Sequence, residues 1–405
     1  MMVGIEQIQA YVPQLALPLP ALAAARGIAP EKLTQGLGVQ AMALTPPCED
    51  VVTLAATAAS RCLRAAKVDP RSIGLLIVAT ETAVDHAKPV GIFVHELAGI
   101  GPHCRVYEVK HACYGGTAAL MTAADWVRAN RAQPRRALVV AADVARYAIG
   151  SAGEPTQGAG AVAMLVGPSP RALVLGDDTG VHAANVYDFW RPLDRREALV
   201  DGKYSIECYL DALSGAFRSY RTVERPVLAD GEGLLDRLAR VLYHTPFPKM
   251  AAKAHRRLLE LDRGAAPTDA EYEASYGTLV APGLAGVSQI GNTYTASLYL
   301  CLATILEAEA KAVAGRRLGL FSYGSGCCAE FFAGVVPPAA TTIASTGIRD
   351  ALARRTLVDV ETYERLARHG DKGGEPPADF TGDFLFRGVR DDRRLYARAR
   401  EVLAA

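Results

Sequence analysis

Apolar runs of strand length alternate along this chain with longer, alanine-rich stretches. SIGLLIVAT (72–80) and ALVVAAD (137–143) are apolar almost throughout, the pattern of strands covered on both faces. VVTLAATAASRCLRAAK (51–67) and GTAALMTAADWVRAN (116–130) have helical spacing. Strand, helix, strand in this order predicts a mainly parallel or mixed sheet with helices on both faces. In the second half, NTYTASLYLCLATILEAEAKAVAG (292–315) predicts one long helix, with Asn292 as N-cap and Gly315 as stop. RLGLFSYGSGCCAEFFAGVV (317–336) predicts a strand, a glycine turn and a strand. Both halves place a helix and a glycine turn beside an apolar strand. The expected fold is an α/β sandwich of two similar halves, 1–170 and 171–405, although no repeat is visible in the residues themselves. The charge-rich end from residue 345 contains HGDKGGEPPADFTGD, which predicts a surface loop in a C-terminal extension.

Composition narrows the function classes. With 405 residues the chain exceeds one small core, and 50% apolar with 21% charged residues is an ordinary globular balance. A formal net charge of +1 gives the whole chain no pull toward nucleic acid or a membrane surface. No run of apolar residues reaches the length of a membrane-spanning helix. MMVGIEQIQAYVP lacks the basic-then-apolar pattern of a signal peptide, so a cytoplasmic protein is expected. The 8 cysteines are scattered without a C-x-x-C pair, which is not a disulfide scaffold, and most are expected to be small buried hydrophobes.

One cysteine has a distinctive setting. CRVYEVKHA reads as a strand ending just before Cys113, and GGTAALMTAADWV begins a helix just after it. A thiol at a helix N-terminus meets unpaired N–H groups and the positive end of the helix dipole, which favour the thiolate. Gly115 and Gly116 leave room for a substrate near the backbone. By position alone, Cys113 reads equally as a nucleophile or as a buried structural thiol. Glu81 follows a predicted buried strand, where partial desolvation raises a carboxyl pKa toward a value useful for proton transfer; its other reading is a solvated helix cap. His244 follows a short apolar run and precedes two prolines, a loop site able to face a ligand. The turn SYGSGCC (322–328) offers backbone N–H groups for an oxyanion, or is simply a tight hairpin. GSAGEPTQGAGAVAMLVG (150–167) matches neither G-x-G-x-x-G nor the P-loop, so no nucleotide site is expected there. HCRVYEVKHAC (His103, Cys104, His111, Cys113) matches no zinc spacing, and a strand would hold its two ends apart.

Taken together, TETAVDHAK, ACYGGTAA, GEPTQGAGAVAM, VYDFWRP, LVDGKYSIECYL, YHTPFPKM, IGNTYTASLYL and FSYGSG resemble hydroxymethylglutaryl-CoA synthase of the thiolase-like superfamily, bacterial mevalonate-pathway type. The resemblance runs over nearly the whole chain. It implies a thiolase-like five-layered αβαβα sandwich, a homodimer, no cofactor and no metal. It also implies an acyltransferase that condenses acetyl-CoA with acetoacetyl-CoA through an acetyl-cysteine, giving 3-hydroxy-3-methylglutaryl-CoA. Carried over by position, Cys113 is the nucleophile, Glu81 the base that deprotonates the acetyl methyl, and His244 the residue polarising the acetoacetyl thioester. Asn292 and Ser325 match positions near the acetoacetyl group. Thr156 and Ser205 match positions near CoA or its pantetheine. Lys249 and Lys253 match phosphate contacts, and being four apart they share a face if that stretch is helical. Asp85, Asp143, Tyr147 and Asp188 match polar positions around the site. The resembling alternative is the acyl-carrier-protein synthase of polyketide β-branching, to which GSGCCAEFF is more similar, whereas VYDFWRP, GEPTQGAG, LVDG and Lys249 are similar to the CoA type. Ordinary thiolases and ketoacyl synthases lack the glutamate.

Overall fold

A computed structural model describes residues 2–403 except 131, 133–134, 196, 224–231, 344, 371 and 378. Nine strands form the main sheet: β1 (Gly4–Tyr11), β2 (Ile73–Ala79), β3 (Arg105–Val109), β4 (Arg136–Val144), β5 (Ala159–Gly167), β6 (Leu173–Ala183), β7 (Leu238–Tyr243), β8 (Arg317–Gly324) and β9 (Cys328–Val335). Their spatial order is β7-β8-β9-β6-β1-β5-β4-β2-β3.

The duplication that the residues conceal is visible in the pairing. In the first half β1–β5 and β5–β4 are antiparallel, and β4–β2 and β2–β3 parallel. In the second half β6–β9 and β9–β8 are antiparallel, and β8–β7 parallel. The half-sheets join only where Gly4 and Ile5 pair with Val174 and Leu173. Helix α1 (Val51–Ala66) packs on the outside of β1, β4 and β5. Its start is fixed by a capping box, in which Asp50 accepts from the Thr53 N–H and the Thr53 hydroxyl accepts from the Asp50 N–H. Helices α2 (Gly115–Ala129) and α5 (Ser297–Val313) occupy the inner layer. Helix α3 (Gly202–Val223), with α4 (Pro248–Arg263) beside it, covers the second half-sheet. The layers are thus αβαβα.

Strands covered on both faces explain the uninterrupted apolar runs. Leu76, Val78, Leu138 and Val140 pack outward under α1, while Leu75, Ile77, Val139 and Ala141 pack inward against α2. The long helix differs from its prediction. It begins at Ser297 rather than after Asn292, because residues 292–296 form an irregular turn in which Tyr294 has φ +45°. Asn292 caps no helix; its side-chain oxygen accepts from the Tyr294 N–H at 2.9 Å. The C-terminal segment returns to the first half. Thr356–Leu357 pairs with Leu15–Ala16, helix α6 (Val360–His369) follows, and Phe384 enters the core beneath α1. No helix among the described residues is long and apolar enough to cross a membrane.

Candidate active site

Cys113 sits where the turn after β3 enters α2, and its thiol donates to Glu81 Oε1 at 3.4 Å. The approach is tight on two sides. A Cβ at Gly116 would lie 2.5 Å from the Thr295 carbonyl oxygen, and one at Gly324 would lie 2.5 Å from the Tyr114 nitrogen. The glycine at 116 therefore serves the packing of α2 against the turn before α5, rather than access for a substrate. The Tyr114 hydroxyl donates to the buried Glu330 at 2.7 Å, which ties the nucleophile turn to β9.

Glu81 lies two residues beyond β2 and is buried, not a solvated cap. Its backbone is held by Asp143, at the end of β4. One Asp143 oxygen accepts from the Glu81 N–H at 2.8 Å, the Thr80 and Thr82 hydroxyls and the Thr82 N–H. The other accepts from the Thr295 N–H at 3.1 Å and its hydroxyl at 2.5 Å. A single buried carboxylate thus fastens the Glu81 turn of the first half to the turn preceding α5 in the second. Arg191 adds a hydrogen bond to the Glu81 carbonyl oxygen.

Burial dominates the electrostatics. It pushes the Glu81 carboxyl up to about 8, with the Asp143 charge adding to the rise and the Cys113 hydrogen bond and Arg191 opposing it. The Cys113 thiol is raised well above its usual value, first by burial and then by the Glu81 charge. This reverses the expectation of a helix-stabilised thiolate. The neighbouring carboxylates and the loss of water outweigh the helix terminus, so the resting nucleophile is a thiol that donates to Glu81.

His244 directly follows β7, and its N–H donates to the Phe321 carbonyl at 2.7 Å. It is buried, and burial lowers its pKa to about 3. The imidazole is neutral, and its Nδ1 has no hydrogen-bond partner among the described residues. Cys113 and His244 line one cavity of about 300 Å3 with Asn292, Ser325, Tyr147, Thr156 and Ser205. Its remaining wall is largely apolar and aromatic, including Phe189, Tyr209, Phe247 and Tyr294.

The other polar candidates sort by position. Asp188 is fully buried beneath the 325–326 turn, accepting from the Tyr323 hydroxyl at 2.5 Å and the Gly326 N–H at 3.0 Å. The Cys327 N–H donates to Ala184. Two of the backbone donors expected to face an oxyanion are therefore committed to holding the hairpin. Lys249 and Lys253 lie on α4 as the spacing required; both are exposed, and neither lines the cavity that Phe247 and Met250 help to form. Asp85 is exposed and lines no part of it; its carboxylate accepts from the Ala87 and Lys88 N–H groups at 2.8 Å, closing a local turn. The His103–Cys104 and His111–Cys113 pairs lie at opposite ends of β3, and no group of three potential metal ligands occurs among the described residues.

Residue reasoning alone missed Thr80, Thr82 and Thr295, which grip Asp143, and the aromatic wall of Phe189, Tyr209 and Tyr294. Threonines clustered beside strand ends were the available signal for the first group. Nothing local marked the second, because its members come from distant segments.

Against known proteins, residues 1–171 match the family model described as hydroxymethylglutaryl-coenzyme A synthase N terminal. Residues 175–281 and 271–372 match the C-terminal model of the same enzyme. The chain is similar to hydroxymethylglutaryl-CoA synthase of Enterococcus faecalis, 40% identical over 82% of this chain and 83% of the relative. Among solved structures it is similar to MvaS in complex with 3-hydroxy-3-methylglutaryl coenzyme A, with a TM-score of 0.91 and 47% identity, covering 98% of this chain and 99% of that one. It is also similar to the curacin biosynthetic pathway HMG synthase in complex with acetyl donor-ACP, with a TM-score of 0.89 and 30% identity over 98% of this chain and 100% of that one. The chain belongs to the hydroxymethylglutaryl-CoA synthase family.

Proposed function

We propose that this enzyme condenses acetyl-CoA with acetoacetyl-CoA on Cys113, and that the work is divided between the expected halves. Residues 1–170 bring Cys113 and Glu81; residues 171–405 bring His244, Asn292 and Ser325. The observation that carries the reading is the Cys113 thiol donating to Glu81 Oε1 at 3.4 Å, beside a cavity that Cys113 shares with His244.

In the first step Cys113 sulfur attacks the acetyl thioester carbonyl, its proton passes to Glu81, and CoA leaves as a thiol by recovering that proton. The acetyl-cysteine is neutral, so acylation removes the thiol that competed for Glu81. The carboxylate then takes a proton from the acetyl methyl, and the enolate carbon bonds to the ketone carbon of acetoacetyl-CoA. Neutral His244, with an unpaired ring nitrogen, suits a hydrogen-bonding role toward the second thioester rather than a charged one. Water finally splits the bond to sulfur, releasing the product as a carboxylate and restoring the thiol.

CoA rather than a carrier protein is favoured by the higher identity to the MvaS structure than to the curacin synthase, 47% against 30%. Exposed Lys249 and Lys253, on the helix whose start borders the cavity, suit the phosphates of CoA. A homodimer is the assembly that the family resemblance supports, and light scattering tests it.

Intact-protein mass spectrometry tests the chemistry. Acetyl-CoA should leave an acetyl adduct on the wild type and none on Cys113→Ala, and acetoacetyl-CoA should discharge it as the six-carbon product. An adduct formed from an acetylated carrier protein but not from acetyl-CoA would replace the CoA reading. No adduct from either donor would refute Cys113 as the nucleophile.

A further inference from the structure

A second cavity of about 400 Å3 adjoins the first. Ser325 and Phe189 border both, and Glu81 borders the second. The two differ in chemistry. The Cys113 cavity is walled mainly by aromatic and aliphatic groups, whereas the second presents Lys110, His111, Asn185 and Arg191. Arg191 reaches the Glu81 carbonyl oxygen, and His111 Nε2 is buried without a hydrogen-bond partner among the described residues. A polar chamber carrying two cations thus lies against the base of the reaction.

The steps of the reaction proposed above make opposite demands on water. Acylation and condensation need it excluded, since water would discharge the acetyl-cysteine or quench the enolate. The last step needs one water brought to the thioester carbonyl. Its oxygen bonds to that carbon, one proton passes to the sulfur as the carbon–sulfur bond breaks, and the other is lost from the nascent acid. An anion appears where a neutral thioester stood. The aromatic cavity offers nothing cationic for this change; the second chamber does.

We infer that the second chamber is the hydrolysis port of the enzyme, admitting the water and using Lys110 and Arg191 to stabilise the carboxylate as it forms. The inference rests on Cys113 as the acylated residue and Glu81 as its base. It makes the two lysine and arginine charges specific to the final step, because neither earlier step creates a carboxylate.

The test is rapid-quench intact-protein mass spectrometry on wild type, Arg191→Met, Arg191→Lys and Lys110→Met, given acetyl-CoA and then acetoacetyl-CoA. Lys110 is exposed, so its replacement should leave folding intact. The methionine variants should acetylate at the wild-type rate and then accumulate the hydroxymethylglutaryl adduct on Cys113, with release slowed by about tenfold. Arg191→Lys should clear that adduct faster than Arg191→Met. Accumulation of the acetyl adduct instead would show that Arg191 acts only by positioning Glu81 for condensation, and would overturn the inference, as would unchanged adduct levels in both methionine variants. A wild type that never acetylates would overturn the reading of Cys113, and this inference with it.

Discussion

Glu81 shows how a single residue carries both the chemistry and a cost in stability. Its carboxyl titrates at about 8, against an ordinary value of 4.5, chiefly because it is buried. Between these values the unfolded chain has lost its proton while the folded protein keeps it, so stability falls as pH rises through this window. Glu81→Gln removes the effect. It should therefore gain stability relative to wild type as pH increases from about 4.5 to about 8, by roughly 1–4 kcal/mol at the upper end. Denaturant melts at several pH values check this, and a constant difference across the range would refute it. The same variant should still acetylate Cys113 but lose condensation by roughly 10²–10⁴-fold, measured by single-turnover release of product. Glu81 was legible as a strand-end carboxylate, and so was Cys113 as a strand-to-helix thiol. The direction of the thiol pKa was not, because it depends on carboxylates brought from other segments: Glu81, Asp143 and Asp188 all raise it.

Among elements, the junction of α2 with the turn before α5 decides whether the nucleophile is held. Gly116, in the first turn of α2, lies against the Thr295 carbonyl, and Thr295 in turn donates twice to Asp143. Gly116→Ala would force the backbone contact apart, since a Cβ there falls 2.5 Å from the oxygen. Overpacking of this kind costs roughly 1–3 kcal/mol. Because the displaced turn also anchors the Glu81 backbone through Asp143, kcat should fall with stability. A thermal melt and a steady-state assay decide it; normal kcat in a destabilised variant would separate the junction from the site. This junction also explains the misplaced start of α5. Asn292 has the chemistry of an N-cap and a helical pattern after it, but its amide is used within the 292–296 turn, and its N–H donates to the Thr156 carbonyl at 2.9 Å. A cap preference is local, whereas this turn is set by contacts with the loop carrying Thr156 and with Asp143, which no window of neighbouring residues contains.

For the whole molecule, the layered arrangement separates what supports the site from what supports the fold. Apolar strands and amphipathic helices were legible because period and burial act locally; the equivalence of the halves was not, because it lies in strand pairing rather than in repeated residues. Nor was the return of the C-terminal segment. Its charge suggests only a surface loop, yet Phe384 is buried beneath α1, and Arg394 pairs with the helix-capping Asp50 at 2.9 Å. That contact lies in the outer core, apart from the inner core of α2 and α5. Phe384→Ala should therefore cost roughly 3–5 kcal/mol of stability with kcat nearly unchanged below the melting transition. Asp143→Asn makes the contrasting case. The amide nitrogen cannot accept hydrogen bonds as the carboxylate oxygen did, so the donors of either Thr295 or the Glu81 turn lose their acceptor. Since one oxygen serves each half, the variant should lose both stability and condensation, by roughly 1–3 kcal/mol and at least tenfold in rate. Melts and assays on the two variants together test the separation: if Phe384→Ala also lost its rate in proportion to its stability, the outer layer would be part of what aligns Glu81 with Cys113, and the two functions of the layers would not be separable.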